Sequence, residues 1–281
     1  MTVTRFAPSP TGYLHLGHAF AAEQAASAGT RFLLRIEDLD QGRAREEFVA
    51  AIFEDLRWLG LSWEEPVLRQ SGRMDAYRAA LVRLQKEELL YPCFCSRGDI
   101  EEEIARAAEA PHSDVWPAPP AGPNGPLYPG TCRHLAYKDV LARIASGAVY
   151  SLRLDVAKAA KRSGPLTFRE HDAVVQVDTS HFGDLVLARK DVPASYHLAV
   201  VVDDAFQGVD LVTRGEDLLP AAHVQRLLQA LLVLPEPAYA HHRLILDAQG
   251  RKFSKRDQAV TLRALRQGGA QLRDVLERLG L

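Results

Sequence analysis

Residues 3–19, VTRFAPSPTGYLHLGHA, are the stretch on which the fold turns. Residues 3–9 have the character of a short strand, and Pro8, Pro10 and Gly12 then make a tight turn. LGHAFAAEQAASAG, at 16–29, has the alanine-rich composition of a helix stopped by Gly29. RFLLRIED at 31–38 reads as a buried strand, and AREEFVAAIFEDLRWLG at 44–60 as an amphipathic helix ending at Gly60. Strand, helix, strand, helix in quick succession predicts an α/β fold with a parallel, doubly wound sheet.

The alternation breaks in the middle of the chain. Residues 111–130, PHSDVWPAPPAGPNGPLYPG, hold seven prolines and three glycines, which predicts an ordered loop or flexible excursion rather than a helix or strand. VYSLRLDV, LTFRE and DLVLARKD, from 149 onward, predict strands separated by turns in an antiparallel or mixed insertion. Alternation resumes with a helix at SYHLAVVVDDAF, a strand at DLVTRGED and a helix at AAHVQRLLQALLVL. The expected organisation is a nucleotide-type domain in two halves, 1–90 and 186–240, split by an insertion at 91–185. A basic loop and short helical tail follow at 241–281.

Of the 281 residues, 47% are hydrophobic and 25% charged, ordinary for a soluble globular protein able to bury a substantial core. The apolar runs HLAVVV and LLQALLVL fall well short of the roughly 18 residues that span a bilayer. The N-terminus lacks the apolar stretch of a secretory signal, so the expectation is a cytoplasmic protein without membrane contact. A net charge of −2 excludes a broad basic field for loose nucleic-acid binding, though not a local basic surface for a specific RNA. Three cysteines do not make a disulfide framework.

Two common phosphate cradles are absent: no glycine precedes a lysine, and there is no G-x-G-x-x-G. What the chain offers instead is His15, Gly17 and His18 at the start of a helix. Histidines three apart share one side of a helical turn, beside the free N–H groups and positive dipole end of the helix. Gly17 leaves the backbone open to a flat base. Such a group can stabilise charge growing on an α-phosphate under attack, as in adenylylation by ATP with loss of pyrophosphate. Near the other end, KFSKR at 252–256 gathers three cations around a serine.

Together and in this order, HLGH and KFSKR resemble the H-I-G-H and K-M-S-K-S signatures of class I aminoacyl-tRNA synthetases; the second departs at Phe253 and Arg256 and keeps its lysine. RFAPSPTGYLHLGHA, RIEDLD, DVPASYHLAVVVDD and LVTRGEDLL extend the resemblance, over residues 5 to 256, to glutamyl-tRNA synthetases. The resemblance implies a Rossmann-type sheet domain with His15, His18 and Lys255 catalytic. It places ATP on His15, Gly17, His18, Lys252, Ser254 and Lys255, with Mg2+ carried in on the phosphates. It places glutamate on Arg5, Phe6, Ala7, Pro8, Ser9, Glu37, Tyr196 and Arg214. Arginine forks suit the carboxylates and Glu37 the ammonium.

Beyond Arg256 there is room for one or two short helices, so no anticodon-binding domain is expected. This shortened pattern resembles the glutamyl-Q tRNA(Asp) synthetases, which activate glutamate without tRNA and transfer it to queuosine at the wobble position of tRNA(Asp). The implied partners are ATP, L-glutamate and queuosine-bearing tRNA(Asp), and the expected state is a monomer. Cys93, Cys95, Tyr128 and Cys132 match that family's C-x-C…Y-x3-C pattern, which implies one structural Zn2+ per chain in a mixed α+β insertion. Three alternatives stay open: a shortened glutamyl-tRNA synthetase charging the 3′ end of tRNA(Glu), a small-molecule nucleotidyltransferase, and a non-catalytic relative.

Overall fold

In the computed structural model the described residues are 1–108, 121–122, 125–246 and 261–280. Lys252, Ser254 and Lys255 lie outside them, as does most of the proline-rich stretch.

The first half is built from β1 (Val3–Phe6), α1 (Leu16–Ala28), β2 (Arg31–Ile36), α2 (Glu46–Trp58), β3 (Glu64–Arg69) and α3 (Met74–Lys86). β1, β2 and β3 are parallel neighbours in that order. Next come β4 (Leu90–Cys93), α4 (Arg97–Ala108), the short pair β5 (Ala121–Gly122) and β6 (Gly125–Pro126), and α5 (Tyr137–Ala145). β7 (Ser151–Leu154), α6 (Val156–Ser163), β8 (Thr167–Glu170), β9 (Ala173–Gln176) and β10 (Leu185–Ala188) follow. The second half continues with α7 (Tyr196–Gln207), β11 (Leu211–Gly215), α8 (Leu219–Leu232) and β12 (Ala238–His242), and then α9 (Leu262–Gln267) and α10 (Leu272–Leu279).

β4, β7 and β10 form the antiparallel sheet expected in the middle of the chain. That region is not strand and turn throughout. α6 stands between β7 and β8, started by Asp155, whose side chain accepts from the backbone N–H of Lys158. β8 and β9 join the second-half sheet, ordered β11-β12-β8-β9. The strand pattern also missed β12, because AYAHH alternates buried Tyr239 and His241 with small or half-buried residues rather than forming a run of large apolar ones.

The two half-sheets meet at their N-terminal edge. Asp210 donates its backbone N–H to Val3 O at 3.2 Å, and Val3 donates to Asp210 Oδ1 at 2.8 Å. Val3, Leu33, Val212 and Tyr239 pack together across this seam. Farther along, no ladder joins β1 to β11 among the described residues, and the strands open into a crevice at their C-terminal ends. In open α/β sheets such a switch point is where ligands bind.

Candidate active site

The crevice, about 400 Å³, is lined by Arg5, Phe6, Ala7, Ser9, Glu37, Tyr196 and Arg214, with Ala21, Thr213, Gly215 and Leu218. It therefore brings together seven of the eight residues expected to hold glutamate; Pro8 is buried beside them, its carbonyl accepting from Glu37 N at 3.0 Å. Each comes from a strand end or helix start. β1 supplies Arg5 and Phe6, the segment after β2 supplies Glu37, the first turn of α7 supplies Tyr196, and β11 supplies Arg214.

The two arginines are held differently. Arg5 is bidentate to Asp204 (Nε–Oδ1 3.0 Å, Nη2–Oδ2 3.3 Å) and donates from Nη1 to Thr213 O at 3.2 Å, bridging the gap between β1 and β11. Arg214 donates from Nε to His241 Nε2 at 3.0 Å and from Nη1 to Gln225 Oε1 at 2.7 Å, and Nη1 reaches the Tyr196 hydroxyl at 3.5 Å. Its Nη2 is buried and has no hydrogen-bond partner among the described residues. A buried guanidinium nitrogen left unsatisfied is costly, and a carboxylate brought within its reach would remove that cost.

Glu37 faces the same space. Burial pushes its carboxyl above the usual range, against the opposing pull of Arg35 and Arg5. The crevice thus offers a cationic fork from one half-sheet and an anion from the other. Sequence reading missed the frame behind them. Asp204 also accepts from Arg35 Nη1 at 2.7 Å, and Arg35 donates on to Gln207 at 2.9 Å and Glu37 at 3.4 Å. Burial alone would raise the Asp204 carboxyl, yet Arg5 and Arg35 hold it below the usual range. Neighbouring Asp203 points the other way, accepting from Gln70 (3.1 Å), Arg73 (3.1 Å) and Tyr77 (2.6 Å). Two adjacent aspartates inside the apolar helix VVVDDAF were the available signal.

At the start of α1, His15 is the N-cap residue. Its Nδ1 accepts from Gly17 N at 3.1 Å, and His18 Nδ1 accepts from His15 N at 3.2 Å. This reciprocal arrangement satisfies two orphan donors and fixes both imidazoles, whose centroids are 3.8 Å apart. A Cβ at residue 17 would sit 3.1 Å from His15 Cε1, so the glycine also makes room for the ring. His15 pairs with Thr261 as an isolated antiparallel bridge, and Leu262 N donates to Leu14 O at 2.8 Å. Ile245 and Leu262 share a core cluster with Leu14 and Leu16. Thr261 and Leu262 thus lie beside His15 and Leu14 at the start of α1.

A second cluster lies where β4 ends. Cys93, Cys95 and Cys132 present sulfurs all within 4.8 Å of one another. The Tyr128 hydroxyl is 3.4 Å from Cys93 Sγ and 3.7 Å from Cys95 Sγ, and it accepts from Cys132 N at 2.8 Å. Tetrahedral thiolates on Zn2+ stand about 3.8 Å apart, so the spread suits one ion. Burial pushes the Cys95 thiol up to about 11, a proton that a cation would displace. These residues could hold a metal ion.

A split parallel sheet with a reciprocally capped imidazole pair at the start of the helix after its first strand defines a nucleotide-binding domain of the class I synthetase type. The family model for class I tRNA synthetases (E and Q), catalytic domain, matches residues 1–280. A Rhodobacter capsulatus protein named glutamyl-Q tRNA(Asp) synthetase is 47% identical over 99% of this chain and all of that one. A Nocardia farcinica protein of the same name is 44% identical over 97% of this chain and 81% of its own. A crystal structure of a glutamate tRNA ligase from Elizabethkingia meningosepticum, in complex with its amino acid, superposes with a TM-score of 0.70 at 29% identity over 91% of this chain. The chain spans about half of that ligase, 52% of its length. The chain belongs to the glutamyl-Q tRNA(Asp) synthetase family within the class I (E and Q) tRNA synthetases.

Proposed function

We propose that this protein activates L-glutamate with ATP and transfers it to queuosine at the wobble position of tRNA(Asp). The observation that carries the reading is the buried, unpartnered Nη2 of Arg214 in a crevice that also holds Glu37. One substrate carboxylate takes the Arg214 fork, the ammonium takes Glu37, and the Tyr196 hydroxyl adds direction. Arg5 keeps spare N–H donors on a guanidinium already fixed by Asp204. An arriving ammonium supplies the positive charge that keeps Glu37 ionised despite its burial.

The other carboxylate attacks the α-phosphorus of ATP in line. A carboxylate-oxygen–phosphorus bond forms, the bond to the β-phosphate bridging oxygen breaks, and pyrophosphate leaves with its electron pair. His15, Gly17 and His18 receive the nucleotide, and Lys255, aided by Lys252 and Ser254, stabilises the departing charge. Lys255 precedes Thr261 by six residues, a reach of at most about 20 Å, so the pairing of Thr261 with His15 is compatible with that role. Mg2+ comes with the ATP phosphates. Cys93, Cys95, Tyr128 and Cys132 would hold a Zn2+ that ties β4 to the turn at 131–134. The proposed organisation keeps catalytic halves at 1–90 and 186–240 around the segment 91–185, in a cytoplasmic monomer.

Charging the 3′ end of tRNA(Glu) is the second reading, favoured by 38% identity to the glutamate–tRNA ligase of Aquifex aeolicus, of which this chain spans 54%. Labelled glutamate offered with ATP and tRNA(Asp) separates the two. Label on the anticodon fragment, only when queuosine is present, is the expected result. Label on the 3′ end of tRNA(Glu) would replace the first reading by the second.

A further inference from the structure

Arg214 can serve a carboxylate only if its free edge faces the crevice, and a chain of groups behind it fixes that orientation. A guanidinium in a protein only donates. The 3.0 Å bond from Arg214 Nε therefore makes His241 Nε2 an acceptor, which puts the ring proton on Nδ1. That N–H donates to Glu170 Oε2 at 2.6 Å, while Glu170 Oε1 accepts from the His241 backbone N–H at 2.9 Å. The His241 side chain is 3% exposed. β8 and β12 pair at only one position, Tyr239 with Glu170, so the Glu170 carboxylate stitches the two strands where their ladder stops.

We propose that Glu170 and His241 are positioning residues for glutamate recognition, locking the Arg214 guanidinium so that Nη2 is presented to the substrate carboxylate. The inference rests on the assignment of Arg214 to glutamate and goes beyond it, because neither Glu170 nor His241 lines the crevice. It also makes recognition pH-sensitive. Protonating His241 at Nε2 removes the acceptor and sets an imidazolium against the guanidinium. The charged or titratable groups facing the ring are Arg214 from β11, Glu170 from β8 and, on its own strand, Tyr239, whose ring stacks on it with centroids 6.0 Å apart. His171, beyond β8, reaches the His241 carbonyl at 3.0 Å. Burial and Arg214 keep the ring below the ordinary histidine range, with Glu170 opposing, so the fork is locked at neutral pH.

The test is glutamate-dependent ATP–pyrophosphate exchange by the full chain. His241→Asn keeps a donor for Glu170 but has no group reaching Arg214. It should raise KM for glutamate tenfold or more and leave KM for ATP within twofold. His241→Gln, whose amide oxygen reaches the place of Nε2, should recover most of that loss. In wild type, KM for glutamate should climb as pH falls below the ordinary histidine range, and this limb should flatten in His241→Gln. An unchanged glutamate KM in His241→Asn, or an acid limb identical in wild type and His241→Gln, would overturn the proposal. If Arg214→Ala also leaves glutamate KM unchanged, the assignment of Arg214 has failed; if only Arg214→Ala raises it, that assignment stands and the positioning role falls.

Discussion

Gly17 shows how one missing methyl group shapes the paired imidazoles at the start of α1. The His15 ring occupies the space that a Cβ would crowd, at 3.1 Å from Cε1 and 3.2 Å from Nδ1, while accepting the Gly17 N–H. In Gly17→Ala the imidazole must shift by a few tenths of an ångström. Because misplacement of a catalytic group by 1 Å can cost about a hundredfold, kcat for exchange should fall roughly tenfold while the thermal midpoint moves little. Parallel kinetics and thermal unfolding check this, and an unchanged kcat would contradict the assignment of the His15 ring. His15, Gly17 and His18 were legible from sequence because the helix start and its cap lie within four consecutive residues. The role of Arg35 was not, because its main partner, Asp204, lies 169 residues away.

At the scale of elements, α9 braces α2 through one buried charge. Asp55 is fully buried and takes Arg266 Nη2 at 3.4 Å, and its Oδ2 has no partner among the described residues. Burial outweighs Arg266 and pushes this carboxyl up to about 6. Between about pH 4, the unfolded value, and that point, the native state binds more protons than the unfolded chain, so this contribution to stability falls as pH rises. Asp55→Asn should remove that slope, and the difference between the two proteins in urea unfolding at pH 4.5 and 7 measures it. A slope identical in both would show that Asp55 titrates normally. The cysteine cluster is the other test at this scale. Wild-type protein purified without chelator should carry about one zinc per chain, and Cys95→Ser should carry less, by elemental analysis. The four residues were singled out by their match to a family pattern; their convergence across β4 and the turn at 131–134 was not visible in the sequence.

For the whole molecule, the decisive contact is the Arg5–Asp204–Arg35 group, which ties β1 and β2 to α7 and so closes one catalytic half on the other. Removing the shared anion leaves two buried guanidiniums facing each other. Asp204→Asn should cost about 3–5 kcal/mol in denaturant unfolding. The wild-type carboxyl is held below its usual range, so its contribution is complete above the unfolded value of about 3.9 and lost as pH falls through the lower folded value. The variant should lack that acid loss, and a variant as stable as wild type at pH 7 would refute the linchpin role. No helix among the described residues is long and apolar enough to cross a membrane.

Resemblance to a family supplied the residues matched to glutamate; by itself the sequence determined the order of most strands and helices and the imidazole pair at the start of α1. These depend on hydrophobic period, turn residues and groups a few positions apart, all local. Only the tertiary structure decided that β8 and β9 extend the second half-sheet, that Asp204 serves two arginines, and that Arg214, which lines the crevice, keeps one buried nitrogen without a hydrogen-bond partner among the described residues. Those outcomes depend on partners up to 199 residues apart, whose pairing is selected by burial of charge and by strand register rather than by any neighbouring residue.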